Sequence, residues 1–410
     1  MKISEMTDAY ASLLIHRGVN IKPGQRLLLN LPAEACDLAA AIVRRAYERG
    51  SGEVTVMFES SETSRARMFY APESVWREVD ASASAVYRLC AESGAALLKL
   101  NAPDLETFRD VPAERLWAKS VAERRLRRTY REMAPYEVQA CLASAPVQSW
   151  AAAVFPELSP KEAYVALWES VIRCTKCDQP DPVAAWDLFF DLSAKRANRL
   201  NDKQYIKLRY KSGVTDLEVG LLNGHIWSFG GVKLADGTVF MPNLPTEEIA
   251  GVPHKYRING RVGSTMPLNH QGRIVEDIRL DLENGRIVGF SARKGEDALA
   301  AVIDTDEGSH YIGEIAFVDQ RSPIGREKRI FYNTLYDENA SCHMAIGMCA
   351  YNAAKGIEGL SVQGLDALGI NSSAIHVDFM IGSDDLDITG VLPDGTEEPV
   401  FIQGQWADNF

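Results

Sequence analysis

The chain contains the segment AIHVDFM at positions 374–380, in which apolar and polar residues alternate. A period of two is typical of a half-buried strand, on which His376 and Asp378 project from one face while Val377 points away. A carboxylate buried on an otherwise apolar strand is costly without a counter-charge. We therefore expect this pair to bind a metal ion, and the alternative, a pair satisfied by hydrogen bonds alone, stays open.

A second segment, YDENASCH at positions 336–343, offers another carboxylate and another imidazole. Residues 340–355 lack Pro and are rich in Ala and Met, which predicts a helix with Asn339 as its N-cap. On one continuous helix Glu338 and His343 would point in divergent directions, because successive residues are rotated by about 100°. Both can bind the same metal site only if Glu338 lies before the helix.

Two earlier segments supply further carboxylates. In NLPTEE, positions 243–248, Thr246 is a natural cap, so Glu247 and Glu248 would lie at a helix N-terminus, where capping is an alternative to metal binding. Glu314 lies in an alternating segment and could equally be an exposed strand carboxylate. Together with the imidazoles these groups exceed one site and suit two divalent metals such as Zn, Mn or Co with bridging carboxylates.

Composition limits the class of protein. The chain has 410 residues, enough for two domains, and its 46% hydrophobic and 24% charged residues are typical of a globular protein. A net charge of −12 argues against a nucleic-acid partner. We find no apolar run long enough to span a membrane and no signal peptide, so we expect a cytoplasmic protein without membrane contact.

The first half of the chain has the pattern of an α/β domain. Apolar strands at 27–30 and 53–58 flank a helix at 33–49 that ends at Gly50, which predicts a βαβ unit and a parallel sheet. Further strands are expected at 96–100 and 147–154, with a helix at 113–133 between them. Ser159 and Glu162 form a capping box for the next helix. We assign residues 1–200 to this N-terminal α/β domain with a helical bridge.

The second half has a different pattern. Short alternating segments separated by Gly, Asn and Asp predict an α+β domain with largely antiparallel strands, and Asn284-Gly285 predicts a hairpin turn. Only His16 among the seven histidines lies before residue 220, so the candidate metal ligands fall in this half. We assign residues 201–410 to a C-terminal metal-binding domain, which carries the chemistry.

Several segments resemble the M29 family of thermophilic-type metalloaminopeptidases. The similar segments, in the family's order, are NLPTEEI (243–249), DTDEGS (304–309), GE (313–314), FYNTLYDENA (331–340) and HVDFMIGS (376–383). The resemblance implies an aminopeptidase with two divalent metal ions (Zn, Co, Mn or Mg) that acts on peptides with a free N-terminus, as a homodimer. The implied ligands are Glu248, Glu314, Glu338, His343, His376 and Asp378, with Glu247 as the other choice for the first position.

One residue departs from the family pattern. The family's tyrosine is expected seven residues after the histidine at 343, but this position is Ala350 and Tyr351 follows it. Either a local bulge returns Tyr351 to the site or its phenol is lost. If it reaches the site, Tyr351 would donate a hydrogen bond to the developing oxyanion, and Glu247 could carry a proton to the leaving amine.

The mechanism that the resemblance implies is hydrolysis by a water activated between the two metals. Two alternatives remain open at this point. His343, His376 and Asp378 alone would form the two-histidine, one-carboxylate set of non-haem Fe(II) oxygenases, which would not need the glutamates. The displaced tyrosine also allows a non-catalytic protein that binds metal or peptide.

Overall fold

The computed structural model describes residues 1–105, 107–108, 110–134, 137–270, 272–349, 356–357 and 359–410. They form two compact units. The first comprises Met1–Trp186 and Gly231–Pro245, and the second comprises Asp187–Gly230 and Thr246–Phe410. Within the described residues, no helix has both the length and the apolar character needed to cross a membrane.

The helices are numbered in chain order. They are α1 Ile3–Leu13, α2 Cys36–Glu48, α3 Ser61–Tyr70, α4 Glu73–Trp76, α5 Ala81–Glu92, α6 Ala113–Met133, α7 Gln148–Val154, α8 Pro160–Cys174, α9 Pro182–Lys203, α10 Glu296–Ile303, α11 Pro323–Glu327, α12 Thr334–Asp337 and α13 Val362–Ala367. A π-helical turn, Leu14–Gly18, follows α1, and 3₁₀ turns lie at Ala33–Ala35 and Glu307–His310. The expected capping box of Ser159 and Glu162 is present at the start of α8.

The strands are numbered in the same way. They are β1 Leu27–Pro32, β2 Val54–Glu59, β3 Ala96–Asn101, β4 Ala140–Ser144, β5 Lys207–Lys211, β6 Asp216–Leu221, β7 Trp227–Phe229, β8 Val232–Lys233, β9 Val239–Phe240, β10 Ile249–Gly251, β11 Pro253–Gly263, β12 Leu268–His270, β13 Arg273–Val275, β14 Arg279–Glu283, β15 Arg286–Ser291, β16 Ile312–Phe317, β17 His343–Gly347, β18 His376–Met380, β19 Asp387–Val391, β20 Glu397–Ile402 and β21 Gln405–Trp406.

The first unit contains the predicted parallel sheet, in the order β2-β1-β3-β4. Leu27, Leu28 and Leu29 are completely buried, which is typical of a parallel strand covered on both faces. One expectation is wrong: residues 147–154 form helix α7, and the fourth strand is β4. Trp150, Ala151 and Val154 are buried at helical spacing, a pattern that a short apolar run does not distinguish from a strand.

The described part of the second unit contains two large antiparallel sheets and the two-stranded antiparallel pair β12-β13. One has five strands in the order β18-β17-β16-β10-β7, and the other has eight, β15-β14-β11-β6-β5-β19-β20-β21. The predicted hairpin joins β14 to β15, and both Asn284 and Gly285 have positive φ, as its turn requires. The fold is therefore the predicted combination of a parallel α/β region and a largely antiparallel α+β region.

Aromatic side chains pack the two sheets of the second unit against each other. Phe317 of β16 stacks on Trp227 of β7 at 4.7 Å between ring centroids, and lies 5.4 Å from Phe401 of β20. Because side chains alternate along a strand, Glu314 and Ala316 point to the opposite face of β16 from Phe317. The face that bears Glu314 is thus free of this aromatic core.

The predicted helix at 340–355 is wrong in its described part. His343–Gly347 is strand β17, between β16 and β18 and buried at every position. A strand buried on both faces shows a continuous apolar run instead of alternation, so local helix propensity from Ala and Met was misleading. Residues 350–355, the last part of that expected helix, lie outside the described residues.

Candidate metal centre

Strand pairing aligns the candidate ligands on one face of the five-stranded sheet. Glu314 of β16 lies opposite Ala345 of β17, which in turn lies opposite Asp378 of β18. His343 and His376 are each two residues from a member of this row, so they project from the same face. Three strands distant in sequence therefore present two carboxylates and two imidazoles together.

His376 contacts two carboxylates through one ring nitrogen. Its Nε2 lies 3.2 Å from Asp378 Oδ1 and 3.4 Å from Glu314 Oε2. Its Nδ1 lies 2.8 Å from the carbonyl oxygen of Met348, which can only accept a hydrogen bond. Nδ1 therefore carries the proton, and Nε2 is the nitrogen available to a metal ion.

His343 has the same arrangement. Its Nε2 lies 3.1 Å from Glu248 Oε2 and 3.8 Å from Glu314 Oε1, and its Nδ1 lies 3.4 Å from the carbonyl of Ser341. Glu314 thus directs a different carboxylate oxygen to each imidazole. The ligand atoms fall into two groups that share it: Glu248, Glu314 and His343 in one, and Glu314, His376 and Asp378 in the other.

Glu338 lies beside these groups without belonging to either. It follows helix α12, and His343 begins β17, so no helix carries both residues. Burial raises the pKa of Glu338 well above its usual range, and repulsion from Asp378 and Glu248 raises it further. The carboxylate is therefore near enough to the other ligands to experience their charge.

The segment with Glu247 and Glu248 enters strand β10 and not a helix, so neither glutamate caps a helix N-terminus. Of these two glutamates, only Glu248 forms an ion pair with His343. Glu247 is buried, and its backbone N–H donates to Asn339 Oδ1 at 2.5 Å. We expected Asn339 to cap a helix, and it does not. Its side chain instead connects this segment to the one that bears Glu338, and its amide group donates to the carbonyl of Leu335 at 3.0 Å.

The pKa shifts at the site follow from carboxylates and imidazoles that are buried together. Burial lowers the pKa of His376 while the adjacent Asp378 raises it, with a net rise to about 10. Burial likewise opposes the ion pairs of His343, whose pKa is nonetheless well above its ordinary value. Burial raises the pKa of Glu314 in spite of its hydrogen bond to His343. Each of these raised pKa values favours a proton on a group beside the carboxylates, and a bound metal ion would compete with that proton for the same ligand atoms.

Sequence reasoning missed two residues of the site. Ala345 separates Glu314 from Asp378, and its methyl group leaves space between the two carboxylates. Asp337 is buried and accepts the backbone N–H groups of Phe331 at 2.7 Å and Asn333 at 3.0 Å, which holds the loop before Glu338. Recognition of β17 as a strand would have identified Ala345, since it is two residues from His343.

Tyr351 and Ala350 lie outside the described residues. The expected tyrosine position, seven residues after His343, was counted along a helix that contains His343. This assumption is wrong because His343 is on β17.

Comparison with known proteins gives consistent matches over nearly the whole chain. The family model for thermophilic metalloprotease (M29) matches residues 3–406. Aminopeptidase 2 of Geobacillus stearothermophilus is 39% identical over 401 residues, which cover 98% of this chain and 97% of that protein. Aminopeptidase AmpS of Bacillus subtilis is 37% identical, with 98% and 99% covered. The solved structure of wild-type AmpT from Thermus thermophilus matches with a TM-score of 0.91 and 32% identity, covering 99% of this chain and all of that one.

Proposed function

Because this chain belongs to the thermophilic metalloprotease (M29) family, we propose that it releases N-terminal residues from peptides at a centre of two divalent metal ions. The chain is a metal-dependent hydrolase, and the relatives named above are aminopeptidases. The proposed metal ligands are Glu248, Glu314, Glu338, His343, His376 and Asp378. We propose that residues 201–410 form the catalytic domain and residues 1–200 the N-terminal one.

The position of Glu314 is the observation that supports two ions most directly. Its Oε1 is directed to His343 and its Oε2 to His376, so one carboxylate serves both ligand groups. The four carboxylates would carry four negative charges, which two divalent cations would balance. Imidazole nitrogen and carboxylate oxygen are ligands that suit Zn, Co and Mn, and Mg accepts such oxygen ligands.

The bound ions would lower the pKa of water toward neutrality and polarise the scissile carbonyl. The protein's own groups orient the ligands: the carbonyls of Met348 and Ser341 hold the two imidazoles with Nε2 toward the carboxylates. We assign Glu247 the transfer of a proton from the attacking water to the leaving amine nitrogen. Tyr351, if it reaches the site, would donate a hydrogen bond to the oxyanion.

The family likeness also supports a homodimer that acts in the cytoplasm, and both remain proposals. Light scattering on the purified protein measures its molar mass and so tests the homodimer. No contact among the described residues favours an Fe(II) oxygenase of the two-histidine, one-carboxylate type or a non-catalytic binding protein. An oxygenase of that type does not need the glutamates that lie beside both imidazoles.

The decisive experiment measures release of amino acids from a short peptide with a free N-terminus and from the same peptide after N-acetylation. We expect release only from the free peptide, its loss with a chelator and its return with a divalent metal. Asp378→Asn should abolish release, whereas Glu283→Gln, at an exposed carboxylate of β14, should not. Unchanged release in the presence of the chelator, or equal release from the acetylated peptide, would refute the proposal.

A further inference from the structure

A cavity of about 430 Å³ lies in the second unit, and none of the proposed metal ligands lines it. Its walls come from the loop between β6 and β7, the start of β11 and the residues around the end of α13. Its volume falls within the roughly 300–1,000 Å³ of small-molecule sites. The cavity is therefore large enough for a small ligand that does not enter the metal centre.

One wall of the cavity is aliphatic. Leu222, Ile226 and Ile370 line it, and Ile370 is buried in a hydrophobic cluster against which Leu222 packs. A ligand with an aliphatic portion would remove this surface from water, which favours binding.

Among the described residues that line the cavity, one carries a formal charge, and it is positive. Arg257 lines it, no Asp or Glu does, and among the described residues no carboxylate forms an ion pair with this guanidinium. Its Nη2 donates to the carbonyl of Leu221 at 2.5 Å, and no other hydrogen bond of this side chain is formed with a described residue. The Arg257 side chain is exposed, and its remaining N–H groups form the fork that suits a carboxylate.

Two imidazoles at the same cavity add no charge. His254 Nδ1 accepts the backbone N–H of Tyr256 at 3.2 Å, so its proton is on Nε2, which can donate. His225 Nδ1 donates to the carbonyl of Leu222 at 3.1 Å. Burial lowers the pKa of both rings, which favours their neutral forms. The total charge of the lining therefore matches a monoanion.

Contacts behind the cavity hold its walls in place. Asp366, at the end of α13, accepts Lys255 Nζ at 2.8 Å and the Tyr256 hydroxyl at 2.6 Å. The backbone N–H of Lys255 also donates to the carbonyl of Gly369 at 2.7 Å. These bonds attach α13 to β11, so the cavity is formed before any ligand arrives.

We propose that this cavity binds a small aliphatic monocarboxylate, with the carboxylate on Arg257 and the aliphatic chain against Leu222, Ile226 and Ile370. The lining, in which no Asp or Glu is present, favours an acid without an amine over a free amino acid, whose ammonium group would find no counter-charge there. The proposal does not depend on the metal centre or on peptidase activity.

The test is calorimetric titration of the full-length protein, metal-loaded and chelator-treated, with 4-methylpentanoate. Acetate, which lacks the chain, and isoamylamine, which reverses the charge, are the ligand controls. We expect 4-methylpentanoate to bind both forms of the protein alike and the two controls to bind at least about tenfold more weakly. Arg257→Gln should weaken binding by about tenfold or more, the effect of one charged hydrogen-bond partner, whereas Arg257→Lys, which keeps the charge but loses the fork, should weaken it less.

A second pair of variants tests the location. Ala367 is an exposed lining residue, and Ala367→Phe should obstruct the cavity, while Ala40→Phe on the exposed face of α2 should leave binding unchanged. Leucine in a parallel titration tests this charge match, and we expect it to bind more weakly than the acid because its ammonium group has no partner in the lining. Absence of binding by 4-methylpentanoate, equal binding by leucine, binding to the metal-loaded form only, or unchanged binding by Arg257→Gln would overturn the proposal.

Discussion

At the scale of single residues, the site depends on how each ligand atom is oriented. A neutral imidazole has one protonated nitrogen, and backbone carbonyls next to Nδ1 of His343 and His376 determine that Nε2 is the free one. Glu314 contributes a separate oxygen to each ring. The arrangement places two groups of possible ligand atoms side by side, and these are the positions of the two ions that we propose.

The adjacent glutamates Glu247 and Glu248 provide a residue-scale prediction. Glu248→Gln should weaken metal binding by at least about tenfold, because it removes a charged ligand beside His343. Glu247→Gln should keep the metal content and lower kcat by about 10² or more, as for loss of a general acid–base. Plasma mass spectrometry of the dialysed proteins and steady-state kinetics separate the two effects. The reverse pattern, metal lost from Glu247→Gln alone, would exchange the assigned roles.

At the scale of elements, the register of three strands sets the distance between the ligands. The row of Glu314, Ala345 and Asp378 joins β16, β17 and β18, and a one-residue slip would turn β17's side chains to the aromatic core. Ala345 is the small residue between two carboxylates. The proposed metal centre therefore requires a small side chain at position 345, although Ala345 itself would bind no metal ion.

Ala345→Val tests this requirement. The larger side chain should occupy the space between Glu314 and Asp378, cost about 1–3 kcal/mol of stability and lower the number of ions bound. Ala345→Ser, which adds one atom, is the matched control and should keep both ions. The measurement is metal stoichiometry together with the unfolding free energy. Full metal content in a folded Ala345→Val protein would contradict the role given to this residue.

The glycine before Glu314 leads to a second element-scale prediction. A Cβ on Gly313 would lie 2.2 Å from the carbonyl oxygen of Gly347 and 2.5 Å from that of Met348, where the pairing of β16 with β17 is irregular. Gly313→Ala should therefore lower Tm by several degrees and weaken metal binding, because backbone must move. Gly364→Ala in α13, where the nearest atom is 3.5 Å away, should leave both unchanged. Calorimetry measures the Tm and the metal binding of both variants.

At the scale of the whole molecule, the metal centre links cofactor binding to stability. The second unit brings the carboxylates of Glu248, Glu314, Glu338 and Asp378 close together, and burying such groups without counter-ions is unfavourable. The folded state of the metal-free chain therefore carries a repulsion that the unfolded chain does not.

Metal removal should consequently destabilise the protein. Addition of a divalent ion at 100 times its Kd should stabilise the folded state by about 2.7 kcal/mol per ion, seen as a rise in Tm. Glu338→Gln, which removes one of the repelling carboxylates, should raise the Tm of the metal-free protein and reduce the increase on metal addition. Equal Tm values with and without metal, for both proteins, would show that the cluster does not bind ions under these conditions.

The sequence by itself determined the features that depend on local period and local chemistry. The alternation of AIHVDFM was enough to place His376 and Asp378 on one face, and apolar strands separated by a helix were enough for the parallel sheet. Asn284-Gly285 and the Ser159 capping box followed from turn and cap preferences alone. These patterns hold because their energies come from residues close together in the chain.

Only the tertiary structure decided how those segments combine. It placed His343 on a strand, brought Glu248 and not Glu247 to that imidazole, and inserted Ala345 between two carboxylates. None of this is encoded in a local period, because a strand buried on both faces loses its alternation and its position depends on partners some 30 residues away along the chain. Cross-strand pairing, which is long-range, fixed the geometry of the candidate metal centre.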